Sequence, residues 1–249
     1  MNLVSIIIPY YNNKIYLQKT VKSILKQSYQ NFEIIIVYDN SDITDLYFVE
    51  SVAKLDKRIF LIRNLKNIGA GLSRNKGITI SRGNYIAFLD SDDLWVSSKL
   101  KLQLKFMNDY NADFSFTSYD VINSKGKKIG NRKAKFFLKY DDLIKSCDIG
   151  LSTVIMKRKL FNNFFKFPNL KTKEDYVLWL KLAKKKIDLY GLNIPLTKWR
   201  VVENSLSSNI KQKILDAFLV YRKYLKFNLI DSLWSVVVLS ANYIIKKYQ

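Results

Sequence analysis

Four apolar runs in the first ninety residues alternate with stretches whose apolar side chains recur at helical spacing, and this alternation leaves few folds open. Val4 to Ile8 is followed by Ile15, Val21, Ile24 and Leu25 at helical intervals, and then by Ile34 to Val37. A second helical pattern across Leu46, Val49 and Val52 leads to Ile59 to Ile62, a third helix starts near Leu72, and Tyr85 to Leu89 makes a fourth strand. Strands this apolar must be covered on both faces. The pattern predicts an α/β fold with a Rossmann-like, mostly parallel central sheet and flanking helices, its ligands held at the carboxyl ends of the strands.

Beyond residue 97 the pattern loosens. A helix across Leu100, Leu104 and Met107 precedes an alternating segment from Phe114 to Ser118, and a hairpin is expected to turn at Asn123 to Gly126. A strand is expected over Ser152 to Lys157, a helix from Glu174 with its apolar stripe at Tyr176, Leu180, Ala183 and Ile187, and a short strand over Leu196 to Val201. The last forty residues read as two helices divided near Asn228. The expected organisation is one α/β domain over 1–208 with a helical C-terminal extension over 209–249.

Chemistry at the strand ends must proceed without histidine, which the chain lacks entirely, so proton transfer falls to carboxylates, lysine or tyrosine. Cys147 is the sole cysteine, which forbids an intrachain disulfide or a thiolate cage and suits a reducing cytoplasm. No signal peptide is read, and the uncharged run from Ser232 to Ile245 is shorter than the ~20 residues a spanning helix needs. The formal charge is +21, most of it in the second half of the chain. The lysines are dispersed, without an aromatic-studded RNA-binding strand, a zinc motif or a compact basic recognition helix, so no nucleic-acid partner is expected. A possible anionic membrane surface is the alternative partner for that charge.

Four segments carry chemistry. Asp90, Ser91, Asp92 and Asp93 follow the fourth strand; carboxylates so close repel one another and suit a divalent cation, Mn²⁺ or Mg²⁺, that grips a diphosphate. They also suit a plain helix cap. Asp39, after the second strand, can accept hydrogen bonds from a base or ribose at the same sheet edge as Pro9 and Tyr11, or merely form a turn. Gly69, Gly71 and Arg74 imitate a dinucleotide fingerprint but put arginine in the third glycine's place, which suits contact with phosphate or with the acidic cluster. Glu174 and Asp175 open a helix, whose dipole should keep a carboxylate ionised and ready to accept a proton.

In order, these segments resemble the family 2 glycosyltransferases of the GT-A fold, over roughly residues 3–208. The later part, around Tyr190-Gly191-Leu192, Lys198 to Val202 and Ser205 to Ser208, is similar to the subgroup that builds bacterial surface polysaccharides such as teichuronic acids and capsules. The resemblance implies a metal-dependent inverting transfer from a nucleotide-diphosphate sugar, UDP-linked, to a hydroxyl of a lipid-linked glycan, by a protein that is cytoplasmic and peripheral on the inner face of the cell membrane. It implies Asp175 as the base, Asp92 with Asp90 as metal ligands, and Pro9, Tyr11, Asp39, Arg74, Asp90 and Ser91 as the donor site. Glu174, Trp95, Arg200 and Ser205 fall on the diphosphate or acceptor side. Two positions depart from the family pattern: Tyr38 stands where a first aspartate is common, and Val202 where many members carry histidine. A silent scaffold that binds membrane or partner enzymes is the competing reading, and the retained carboxylates oppose it.

Overall fold

The computed structural model describes residues 2–162, 164–202 and 209–247. The apolar runs become β1 (Val4–Tyr10), β2 (Phe32–Tyr38), β3 (Ile59–Arg63) and β4 (Tyr85–Phe88), with α1 (Lys14–Leu25), α2 (Ile43–Ala53) and α3 (Ala70–Ile80) between them. All seven residues of β1 and of β2 are buried, as strands covered on both faces must be. Then come β5 (Leu94–Trp95), α4 (Lys99–Asp109), β6 (Phe114–Ile122), β7 (Lys128–Arg132), β8 (Phe137–Leu138), α5 (Tyr140–Leu143), β9 (Ile155–Lys157), α6 (Glu174–Lys184) and β10 (Leu189–Arg200). The C-terminal extension is α7 (Ile210–Leu219), a π-helical turn over Val220–Tyr224, and α8 (Leu229–Lys247).

The sheet order is β3-β2-β1-β4-β9-β6-β10-β5, with β7 paired to β6 and β8 to β10. β1 pairs in parallel with both β2 and β4, so the chain order reverses at β1. A crevice therefore opens above the carboxyl ends of β1 and β4, where ligands bind in open α/β sheets. Alternate side chains of the parallel strands feed two cores. Ile7, Ile35, Val37 and Phe88 join the α6 side chains Tyr176 to Leu182, whereas Ile6, Ile8, Ile34 and Ile36 pack on Leu17, Val21, Leu46 and Val49 of α1 and α2.

Two strand expectations need correction. Ser152 and Thr153 lie in a 3-10 turn, Leu151–Thr153, and only Ile155–Lys157 is strand. The reason is local satisfaction: Thr153 turns back to donate both its amide and its hydroxyl to the Gly150 carbonyl, at 3.0 and 2.6 Å. The short strand expected after Pro195 is the end of the twelve-residue β10, whose register against β6 shifts on either side of Pro195. Such irregularities tolerate a residue without an amide donor. The hairpin turn stands as read, with Gly126 at φ +85° and the Asn123 side chain accepting from the Lys125 and Lys127 amides.

Candidate active site

The chain leaves β4 into Asp90 and turns at once, the Asp93 amide donating to the Asp90 carbonyl at 3.1 Å. Polar side chains of three neighbouring segments fix this loop. Thr20 of α1 donates to the Ser91 and Asp93 carbonyls, Asn13 donates to the Ser91 hydroxyl at 2.9 Å, and the Asp90 amide donates to the Ser152 hydroxyl at 3.0 Å. Asp93 points inward, its Oδ1 accepting the Arg200 amide at 2.8 Å. Asp90 and Asp92 keep partial exposure at the crevice.

Burial, and then the charge of Asp90, push the Asp92 carboxyl up to about 6; burial, Asp92 and Asp90 together push Asp93 well above the ordinary carboxylate range. A cluster that resists ionising all its members is one that a cation stabilises. Asp90 and Asp92 supply hard oxygen donors, the chemistry that suits a Mg²⁺ or Mn²⁺ held by one or two carboxylates with its other positions left to phosphates and water.

Arg74 stands behind this cluster. It projects from the first turns of α3, whose start at Gly69 takes φ +88°, a conformation that only glycine adopts freely. Its Nη2 donates to Asp90 Oδ1 at 2.8 Å and its Nη1 to Glu174 Oε1 at 2.5 Å, with the guanidinium 5.5 Å from the Phe167 ring centre. One buried cation thus ties the loop after β4 to the start of α6. Of the two contacts that the sequence allowed Arg74, phosphate or the acidic cluster, the structure makes the second.

At the start of α6, burial opposes the ionisation that the helix dipole favours. Glu174 is pushed up to about 7, chiefly by burial, even against the opposing pull of Arg74, and burial raises Asp175 as well. The Tyr176 amide donates to Asp175 Oδ1 at 2.7 Å and pulls the other way, toward the ionised form. A carboxylate raised in this way is a better proton acceptor than an ordinary aspartate.

On the nucleotide side, Asp39 is 2% exposed; its carboxylate accepts from the Asn64 side chain and from the Ile68 and Gly69 amides, each at 2.8 Å. It therefore anchors the loop that leads into α3. Tyr11 is 52% exposed at the same edge, whereas Pro9 is buried within β1 opposite Val37. Tyr38 stacks on Tyr10 with ring centres 5.9 Å apart and donates to the Asp42 carbonyl.

Two assignments to the diphosphate or acceptor side are corrected. Trp95 is buried, its indole N–H donating to the Ser152 carbonyl at 2.8 Å, so it belongs to the core beneath the loop. Arg200 is buried over Tyr16 and donates to the carbonyls of Asp92, Asn123 and Ser124, so its guanidinium braces the acidic loop from behind. Ser205 lies outside the described residues.

Sequence reasoning missed the bracket around Ser152. Lys99 is fully buried, donating to Gln103 Oε1 and the Thr153 carbonyl, and Gln103 donates to the same carbonyl and to Ser115. Burial holds the Lys99 ammonium well below its ordinary pKa. A lysine and a glutamine four apart on a helix read as a solvated face, so no signal marked this pair. Thr20 did leave one, as a polar residue within the apolar stripe of Leu17, Val21 and Ile24.

Gly71 shows how tightly α3 meets the loop before α6. A Cβ there would lie 2.9 Å from the Pro168 carbonyl oxygen and 3.0 Å from Glu174 Cγ. Gly71→Ala is expected to cost about 1–3 kcal/mol of stability and to lower kcat by displacing Glu174 from Arg74. Thermal denaturation beside steady-state kinetics checks both, and an unchanged melting temperature contradicts the packing.

Comparison with known proteins places this arrangement. The profile described as Glycosyl transferase family 2 matches residues 5–166. TuaG of Bacillus subtilis, a glycosyltransferase named for teichuronic acid biosynthesis, is 37% identical over 246 residues, which cover 98% of this chain and 97% of that one. WfgD of Escherichia coli, a UDP-Glc:α-D-GlcNAc-diphosphoundecaprenol β-1,3-glucosyltransferase, is 37% identical over 208 residues, 83% of this chain and 80% of that one. Among solved structures, TarS of S. aureus in complex with UDP-GlcNAc superposes with a TM-score of 0.70 at 21% identity, over 93% of this chain and 69% of that one. The mannosyltransferase PcManGT of Pyrobaculum calidifontis, in complex with GDP-Man and Mn²⁺, gives a TM-score of 0.70 at 14% identity, over 96% and 73%. At these identities the superpositions speak for the fold alone, and that fold is GT-A.

Proposed function

The chain belongs to glycosyl transferase family 2, and we propose that it is a metal-dependent inverting transferase acting in the assembly of a bacterial surface glycan. In this reading a UDP-linked sugar is the donor and a hydroxyl of a lipid-linked glycan is the acceptor. The catalytic unit is 1–208. The observation that carries the reading is the Arg74 bridge, which joins the carboxylate loop after β4 to the helix that bears Asp175.

Asp175 accepts the proton of the acceptor hydroxyl as its oxygen bonds to the anomeric carbon, while the bond from that carbon to the diphosphate oxygen breaks. No covalent intermediate with the protein is needed, and the configuration inverts. Asp90 and Asp92 would hold the divalent cation, which when bound would neutralise charge on the departing diphosphate. Arg74 holds Asp90 in place and keeps a positive charge beside Glu174, next to the base. Tyr11 and the loop anchored by Asp39 line the nucleotide side, and Ser91, bonded to Asn13, fixes the floor between them. We assign the acceptor's membrane contact to the C-terminal extension.

Chelation is expected to abolish transfer from UDP-sugars, and Mn²⁺ or Mg²⁺ to restore it, as measured by release of UDP in the presence of acceptor. Full activity in excess EDTA contradicts the assignment of Asp90 and Asp92.

A further inference from the structure

α8 carries two apolar faces. At about 100° per residue, Leu233, Ile244, Val237, Ile230, Trp234 and Ile245 fall within an arc of about 120°, and all six are exposed, Ile230 by 79% and Trp234 by 67%. Toward the protein the helix turns a separate, shorter face, with Val236 and Leu239 against the core, Ser232 buried beside them, and Asn242, whose side chain donates to the Lys145 carbonyl at 2.9 Å. A helix that merely packs on its domain turns its polar side to water. Here the exposed apolar face is left for something else.

The chain that flanks α8 is basic: Lys211, Arg222, Lys223 and Lys226 before it are exposed, and Lys246 and Lys247 end its sequence. Asp231 is the one acidic residue of the helix and is paired with Asn228. No described helix is long and apolar enough to cross a membrane. Two copies of a chain with formal charge +21 repel each other, whereas an anionic surface gains from the same charge.

We propose that α8 docks through this arc into the headgroup and acyl boundary of an anionic bilayer, lying in the interface without spanning it. The role rests on the reading of a lipid-linked acceptor: the docked helix keeps the catalytic domain at the surface where such an acceptor resides.

The test takes the full chain with vesicles of phosphatidylcholine alone or with added phosphatidylglycerol. Expected are flotation with the anionic vesicles and, in a Trp199→Phe background that removes the other exposed indole, a blue shift of tryptophan emission that Trp234→Phe removes, since Trp95 and Trp179 are already buried. Ile230→Asp combined with Val237→Asp should lower partitioning about tenfold or more and leave hydrolysis of the nucleotide sugar unchanged, which also certifies folding. Failure of the wild type to bind anionic vesicles, equal flotation of the double variant, or a solution dimer that the variant dissolves overturns the proposal. Hydrolysis without vesicles is read on the same samples, so flotation with no turnover overturns the transferase reading and leaves the docking in place.

Discussion

Arg74→Ala abolishes transfer and lowers the melting temperature together. The guanidinium is buried between Asp90 and Glu174, and removing it leaves Glu174 in an apolar setting with no counter-charge. Breaking one side of a buried ion pair costs about 3–5 kcal/mol, which in a domain of this size is a fall of roughly 10 °C. Activity falls further than stability explains, by about 10³-fold, because Asp90 and the start of α6 lose their common reference point. Arg74→Lys keeps the charge, but a single ammonium does not reproduce the forked donors that reach both carboxylates, so its recovery is partial. The double variant Arg74→Ala with Glu174→Gln separates the two effects. It should regain much of the lost melting temperature and almost none of the activity, a coupling read directly from the double-mutant cycle. Recovery of both would reduce Arg74 to a counter-ion without a role in alignment.

Asp175→Asn is expected to fail in a different way. An amide of nearly the same shape cannot take the acceptor proton, so transfer falls by about 10²–10⁴-fold while donor affinity and stability hold. The wild-type pH profile carries the matching signature. Burial raises the Asp175 pKa, so its folded value lies above its unfolded one and the neutral form is favoured as pH falls. Turnover of the ternary complex should decline on the acid side at a pH above that of an ordinary exposed aspartate, and the Asn variant should lack that limb. Glu174, pushed up to about 7, protonates in the same direction and weakens the Arg74 bridge as pH falls, so Glu174→Gln separates its share of the limb from that of Asp175. An acid limb at the usual aspartate value, or one retained in Asp175→Asn, contradicts the assignment.

The parallel half of the sheet was legible because its signal is local: β1, β2 and β4 are each built on an apolar run, and their ends fix where the polar residues emerge. The candidate site was legible as residue types in order. Its wiring was not. Arg74 meets Glu174 across one hundred residues of sequence, and no periodicity reports that distance. The resemblance put Trp95 and Arg200 on the diphosphate or acceptor side, yet both donate to carbonyls of the chain itself. The burial at α6 was hidden for a similar reason. A helix start is visible in sequence, but the burial that raises Glu174 and Asp175 comes from neighbours packed around it. In the tail, Tyr221 and Leu225 pack inward, while an apolar face of α8 stays exposed.

In the proposed mechanism the carboxylates at the crevice divide their work, Asp92 serving the cation and donor and Asp175 the acceptor proton. The direct measurement is transfer from UDP-sugars with Mn²⁺ by the wild type, Asp92→Ala and Asp175→Asn, with donor binding followed by thermal shift on the same samples. Asp92→Ala should lose both the Mn²⁺-dependent donor shift and transfer, whereas Asp175→Asn should keep the shift and lose transfer. Transfer surviving both substitutions would contradict it.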